Sequence, residues 1–140
     1  MKRRVLKKKA NILLRRIRNP ANEFGFLVCP LRAKRYPGIL PANIYIDDGG
    51  LWLNLGTKKI VLFQTNRNNE RDWDNIIAMT IEAKPIMLGK PNKMDLSLPE
   101  IEKVKAFVKR NQKAFMEIAS GKIEHEEFFR NTRLIKEEKS

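Results

Sequence analysis

Between residues 43 and 64 apolar side chains recur at every second position, and after residue 97 they recur at every third or fourth. That change of period within one short chain calls for a sheet followed by a covering helix, because period two lines one face of a strand and period 3.6 one face of a helix. In NIYID, Ile44 and Ile46 share a face. In LWLNL, Leu51, Leu53 and Leu55 share one, with Trp52 opposite. In KKIVLFQ, Ile60 and Leu62 alternate with Val61 and Phe63. The DDGG at 47–50 tolerates the backbone of a tight turn, and Gly56 with Thr57 marks a second, so an antiparallel meander is expected.

FGFLVC (24–29) is a further apolar run of strand length, followed by a loop punctuated by Pro30, Pro37, Gly38 and Pro41. NIIAMTIE (75–82) alternates Ile77, Met79 and Ile81 with Ala78, Thr80 and Glu82, a fourth strand of the sheet, bounded by Pro85, Gly89 and Pro91. Ser97 and Glu100 have capping-box spacing, and Gly121 suits a helix stop. Between them Ile101, Val104, Val108, Phe115 and Ile118 form one face, so a long helix over 98–120 covers the sheet. A short helix from near Glu124 anchors through Phe128, Phe129, Leu134 and Ile135. The expected fold is α+β: a small antiparallel sheet of about four strands under a long C-terminal helix, preceded by a basic N-terminal helix. The expected organisation is an N-terminal helix or arm over 1–20, a single domain over 21–135 and a frayed tail over 136–140.

The N-terminal stretch MKRRVLKKKANILLRRIRNP holds nine Lys or Arg residues and no acid. Leu6, Ala10, Leu13, Leu14 and Ile17 form one apolar stripe on a helix, with Lys7, Lys8, Arg15 and Arg18 on a broad opposing face. Pro20 ends it near Arg18 or Asn19. The net charge of +13 is concentrated here: residues 1–36 carry twelve bases against Glu23 alone, leaving the remainder nearly neutral. Such asymmetry implies an anionic partner. No apolar run approaches a membrane span, and no secretory signal core is expected. Cys29 is the single cysteine, which excludes an intramolecular disulfide and a cysteine metal cage and suits a reducing, cytoplasmic setting.

Candidate chemistry is sparse. His125, the one imidazole, lies among Glu124, Glu126 and Glu127, and Phe129 occupies the i+4 position where a helical zinc pair needs a ligand. Cys29 ends an apolar run with no evident activating base and reads as an inert buried thiol. Asp47 and Asp48 belong to a turn. Glu70, Asp72 and Asp74 share a loop with Arg67 and Arg71, where mutual neutralisation accounts for them. Phosphate-cradling glycine motifs are absent, and no cofactor or metal is expected. For nucleic acid, cations would meet phosphates and Tyr36, Tyr45, Trp52 and Trp73 are the rings available for stacking.

Taken in order, ILPANIYIDDGGLW, NIIAMTIEAKPIML and LPEIEKVKAFVKRNQKAFMEIASGKI resemble small uncharacterised α+β proteins of bacteria, especially gut Bacteroidetes, some encoded near toxin–antitoxin or mobile-element genes. The resemblance covers roughly residues 40–130 and implies a fold and a prokaryotic or phage-like setting. The HFH-type segment of some such proteins is absent here, so no functional residue carries over.

The leading expectation is a non-enzymatic, nucleic-acid-binding accessory protein, for DNA or RNA, with electrostatic and weakly selective contacts. Lys2, Arg3, Arg4, Lys7, Lys8, Lys9, Arg15, Arg16 and Arg18 would meet phosphates, assisted by Arg32, Lys34 and Arg35. Its rivals are a small nuclease or toxin–antitoxin component using Asp/Glu or His125, and an interaction module or inhibitor meeting an acidic protein. A membrane-surface role fits poorly, because the apolar stripe has no Trp or Phe.

Overall fold

The seven residues Lys58–Gln64 form the central strand because each turn of the period-two pattern delivers an apolar side chain to both faces. In a computed structural model the residues described are 3–19, 28–36, 38–47, 53–67 and 70–133, with backbone alone for 28, 29, 125 and 131–133. Pro20, residues 24–27, Pro37, the DDGG turn beyond Asp47, Leu51, Trp52, Leu134, Ile135 and the tail lie outside them.

Four helices and six strands are assigned among the described residues: α1 (Arg3–Ile17), β1 (Val28–Leu31), β2 (Ile44–Asp47), β3 (Asn54–Leu55), β4 (Lys58–Gln64), β5 (Ile76–Thr80), β6 (Met87–Leu88), α2 (Leu98–Arg110), α3 (Gln112–Ala119) and α4 (His125–Arg133). All strand pairs are antiparallel, in the order β1-β2-β4-β5-β6, with β3 pairing the start of β4. The fold is thus mixed α and β, with six strands rather than about four. The additional strands are short. β6 has two residues between Pro85 and Gly89, too few to show a period. β1 runs through Pro30, which the sequence pattern treats as a break; it is tolerated because β1 is an edge strand, where a proline need not donate to a second neighbour.

Every residue of β2 and β5 is buried. Successive strand residues point to opposite faces, so both faces of the sheet are covered. α1 lies against β3, β5 and β6, whereas α3 lies against β2 and β4. The helix expected over 98–120 is broken at Asn111, whose buried side-chain amide donates to the Phe107 carbonyl at 2.9 Å. Asparagine competes in this way with the helical ladder, and the chain bends into α3 there. The capping box is present as expected: Glu100 N donates to Ser97 Oγ at 3.3 Å and Ser97 N to Glu100 Oε1 at 2.9 Å. Gly121, at φ 72°, supplies the left-handed residue after α3. Tyr36, Phe107, Phe115 and Phe128 form a continuous chain of ring contacts beneath these helices.

Asp47 departs from its expected place in a turn. It ends β2, is 2% exposed, and its Oδ2 accepts from Leu53 N at 2.8 Å, tying the end of β2 to the start of the next strand.

α1 is held by its apolar stripe. Leu6, Ala10, Leu14 and Ile17 are at most 2% exposed. Gly89 has φ 108°, and a Cβ there would overlap Leu14 Cδ1, so the missing side chain lets the helix approach the sheet edge. Leu14→Ala is expected to cost about 2–5 kcal/mol and Phe115→Ala about 3–5 kcal/mol, the range for fully buried side chains. Chemical denaturation measures both; a loss below about 0.5 kcal/mol for Leu14→Ala would place α1 outside the cooperative core.

Candidate nucleic-acid interface

With its inner stripe buried and Leu13 packed beside it, α1 turns its basic side chains outward. Arg3, Arg4, Lys7, Lys8, Lys9, Arg15 and Arg16 are exposed. Arg4, Lys8, Asn11, Arg15 and Arg18 follow one another at steps of four, three, four and three, which aligns them along a single line on the helix. The line is ~21 Å long at 1.5 Å per residue. No ion pair among the described residues engages Arg3, Arg4, Lys7, Lys8, Lys9 or Arg15.

Arg18 ends that line and has a structural task. Its Nε donates to the Trp73 carbonyl at 3.2 Å, and its terminal nitrogen to the carbonyls of Ile76 at 3.0 Å and Lys90 at 2.9 Å. One guanidinium thereby fixes the end of α1 to the start of β5 and to the segment after β6. Burial pushes the Arg18 pKa down, and the charge of Asp74 opposes that shift.

The Trp73 that Arg18 holds belongs to a short 3-10 turn at Trp73–Asn75, capped by Asp72. Its half-buried ring leans on Tyr45, with centroids 5.1 Å apart and planes at 59°, and the Arg71 guanidinium carbon lies 5.2 Å from the ring centroid. Behind it runs a chain of hydrogen bonds. The Tyr45 hydroxyl donates to Gln64 Oε1; Gln64 Nε2 donates to Asn66 Oδ1 at 2.8 Å; Asn66 Nδ2 donates to Asp72 Oδ2 at 3.0 Å. Asn75 Nδ2 adds a bond of 2.7 Å to the same oxygen, and Asp74 N reaches Asp72 Oδ1 at 3.2 Å. Burial pushes the Tyr45 phenol pKa up, and the Asn43 hydrogen bond and the charges of Arg71 and Arg32 oppose that shift. Asp72 is therefore taken up by amides and a turn cap, not by the neighbouring arginines.

The remaining sequence-derived residues are dispersed. Arg32 precedes and Lys34 and Arg35 form a 3-10 turn after β1; all three are exposed, and Arg35 lies 5.4 Å from the Phe129 ring of α4. Lys2 is outside the described residues. Of the rings considered for stacking, Tyr36 and Tyr45 are buried, Trp52 is outside the described residues, and Trp73 retains partial exposure. His125 begins α4, and neither its side chain nor that of Cys29 is among those described. No group of three or more His, Cys, Asp or Glu among the described residues converges as a metal site would. None of the described helices is long and apolar enough to cross a membrane. The pairing of Arg71 with Trp73 was not singled out from sequence, although the RDW triplet was its signal. No protein-family model, curated protein or solved structure matches the chain.

Arg67, in the same loop region, is drawn elsewhere: its guanidinium pairs with both oxygens of Glu100, one at 3.2 Å. The Ser97 backbone N–H and then Arg67 hold the Glu100 carboxyl at about 2, below its ordinary 4.5. Since the folded value is the lower, the associated stability is present above the unfolded pKa and is lost as pH falls from about 4.5 through about 2. NMR titration of the carboxyl should give a midpoint near that lower value, and Arg67→Gln should raise it. An unchanged midpoint in Arg67→Gln would show that the pair contributes nothing to the shift.

Proposed function

We propose that the chain binds nucleic acid, DNA or RNA, through phosphate contacts along the outer face of α1, as a non-enzymatic accessory protein. The observation that carries this reading is the line Arg4, Lys8 and Arg15, exposed on a helix whose opposite face is buried. Phosphates are regularly spaced anions that reward a fixed row of cations by release of their counterions. The same burial argues against a membrane-surface role, which needs the apolar stripe of the helix for lipid. It also favours binding over a nuclease activity that Asp72 already serves as an amide acceptor and turn cap. Arg32, Lys34 and Arg35, exposed in the turn that follows β1, are the assisting cations of this reading, and Arg18 acts by holding the helix in place.

Removing the leader would expose the core that it covers, so the test is neutralisation in place. Arg4→Gln, Lys8→Gln and Arg15→Gln together leave the inner face intact and should preserve the denaturation midpoint within ~0.5 kcal/mol. Against wild type, the fall of log affinity with log salt should flatten by about 0.9 per lost contact on duplex DNA, or about 0.7 on a single strand. Unchanged affinity and slope in the folded triple variant would contradict the proposal.

A further inference from the structure

We infer that α1 enters the major groove of B-form DNA, with Val5 and Ile12 against thymine methyl groups and the flanking cations against phosphates. The inference rests on the phosphate-binding role proposed for α1 and names the ligand of that same face.

Phosphate contacts leave two side chains of the outer face unexplained. Val5 is 42% exposed and Ile12 48%, both on the side of α1 away from its buried stripe. Seven residues make almost two full turns, so the pair falls on one line, ~10.5 Å apart along the helix axis. Arg4, Lys8 and Arg15 run along one flank of that line, and Lys9 and Arg16 along the other; all five are exposed. Single exposed apolar residues are ordinary on any surface, but these two are aligned between rows of cations. The fold does not call for them, since α1 covers the sheet through Leu6, Ala10, Leu14 and Ile17. Helix propensity does not favour them either, because β-branched side chains are weaker helix formers than the Lys and Arg around them.

A cationic helix face with an apolar midline matches the major groove in size and chemistry. The groove is about 12 Å wide, and an α-helix with its side chains is about 10–12 Å across. Phosphates line both walls, and the two rows of cations meet them. On the floor each A·T pair presents the thymine methyl, which a valine or isoleucine covers with loss of water from both. Duplex RNA offers neither feature: its major groove is deep and narrow, and uracil lacks the methyl. An acidic helix would also satisfy the cations. A helix-on-helix seam, however, needs apolar residues at two positions of each heptad, and here positions 8, 9, 15 and 16 between and beyond the pair are basic. Two methyl contacts give a preference for A·T-rich sequence, not recognition of one site.

The test compares binding of the full chain, at one salt concentration, to two DNA duplexes of the same A·T-rich sequence. One carries thymine and the other uracil in its place, so the phosphates are matched. Wild type should bind the thymine duplex about fourfold more tightly for each methyl covered. Val5→Ala with Ile12→Ala, at exposed positions where alanine favours the helix, should bind the two duplexes equally. Equal binding of both by wild type, while the Arg4, Lys8 and Arg15 triple variant still weakens binding, would overturn the groove contact and leave the phosphate-binding role standing. So would tighter binding to an RNA duplex of matched sequence. A thymine preference that persists unchanged in the alanine variant would overturn the roles given to Val5 and Ile12. Failure of wild type to bind any of these duplexes would overturn both readings, and binding of a glutamate-rich helical peptide in that case would assign the face to an acidic protein.

Discussion

The contact on which the molecule depends is the inner stripe of α1 against β5 and β6. Leu14 over Gly89 sets how close the helix comes, and Arg18 sets its end by three bonds to carbonyls of residues far away in sequence. Burying one leucine or isoleucine is worth about 1.5–3 kcal/mol, so Leu6, Leu14 and Ile17 together supply several. Without them the helix has little reason to form. Its like-charged neighbours Arg4 and Lys8 repel at i, i+4 by about 0.2–0.5 kcal/mol. Arg3 and Arg4 stand at the N-terminal turn, where the helix dipole disfavours cations by about 0.3–1 kcal/mol. Only Arg15 and Arg16, in the last turn, are placed to the dipole's liking. Burial exceeds these costs.

That balance bears on function. A helix selected only to cover a sheet would mix charge signs on its outer face and place acids in its first turn. α1 does neither, and stability is given up for a face of one sign. The tie at Arg18 also makes the helix and the Trp73 turn one mechanical unit. The polar chain from Tyr45 to Asp72 completes this unit from the sheet side.

Much of this was legible in the residues. The amphipathic pattern of α1, the strand at 58–64, the cap at Ser97 and the stop at Gly121 each rest on local physics, and local physics is written locally. β6 was not legible because two residues carry no period. The edge position that excuses Pro30 in β1 is a property of the assembled sheet. Asn111 was a readable breaker, overlooked because the apolar spacing continues from Val108 to Phe115 across it. At the site, the cations were evident but their division of labour was not. Arg15 and Arg18 are both basic and three residues apart, yet one faces outward and the other bonds three carbonyls. Arg67 and Arg71 share a loop, yet one is drawn to Glu100 and the other to Trp73. Those choices depend on side chains more than thirty positions away in one case and on a ring two residues along in the other.

On these contacts α1 belongs to the cooperative core despite its charge. Native-state hydrogen exchange resolves this residue by residue. The amides of Ala10 to Ile17 should exchange with the same opening free energy and denaturant dependence as those of β4 and β5, because the helix and sheet open together. Exchange of α1 amides many-fold faster than the sheet, with no denaturant dependence, would show a helix that comes and goes on a separately stable body, and would contradict the account.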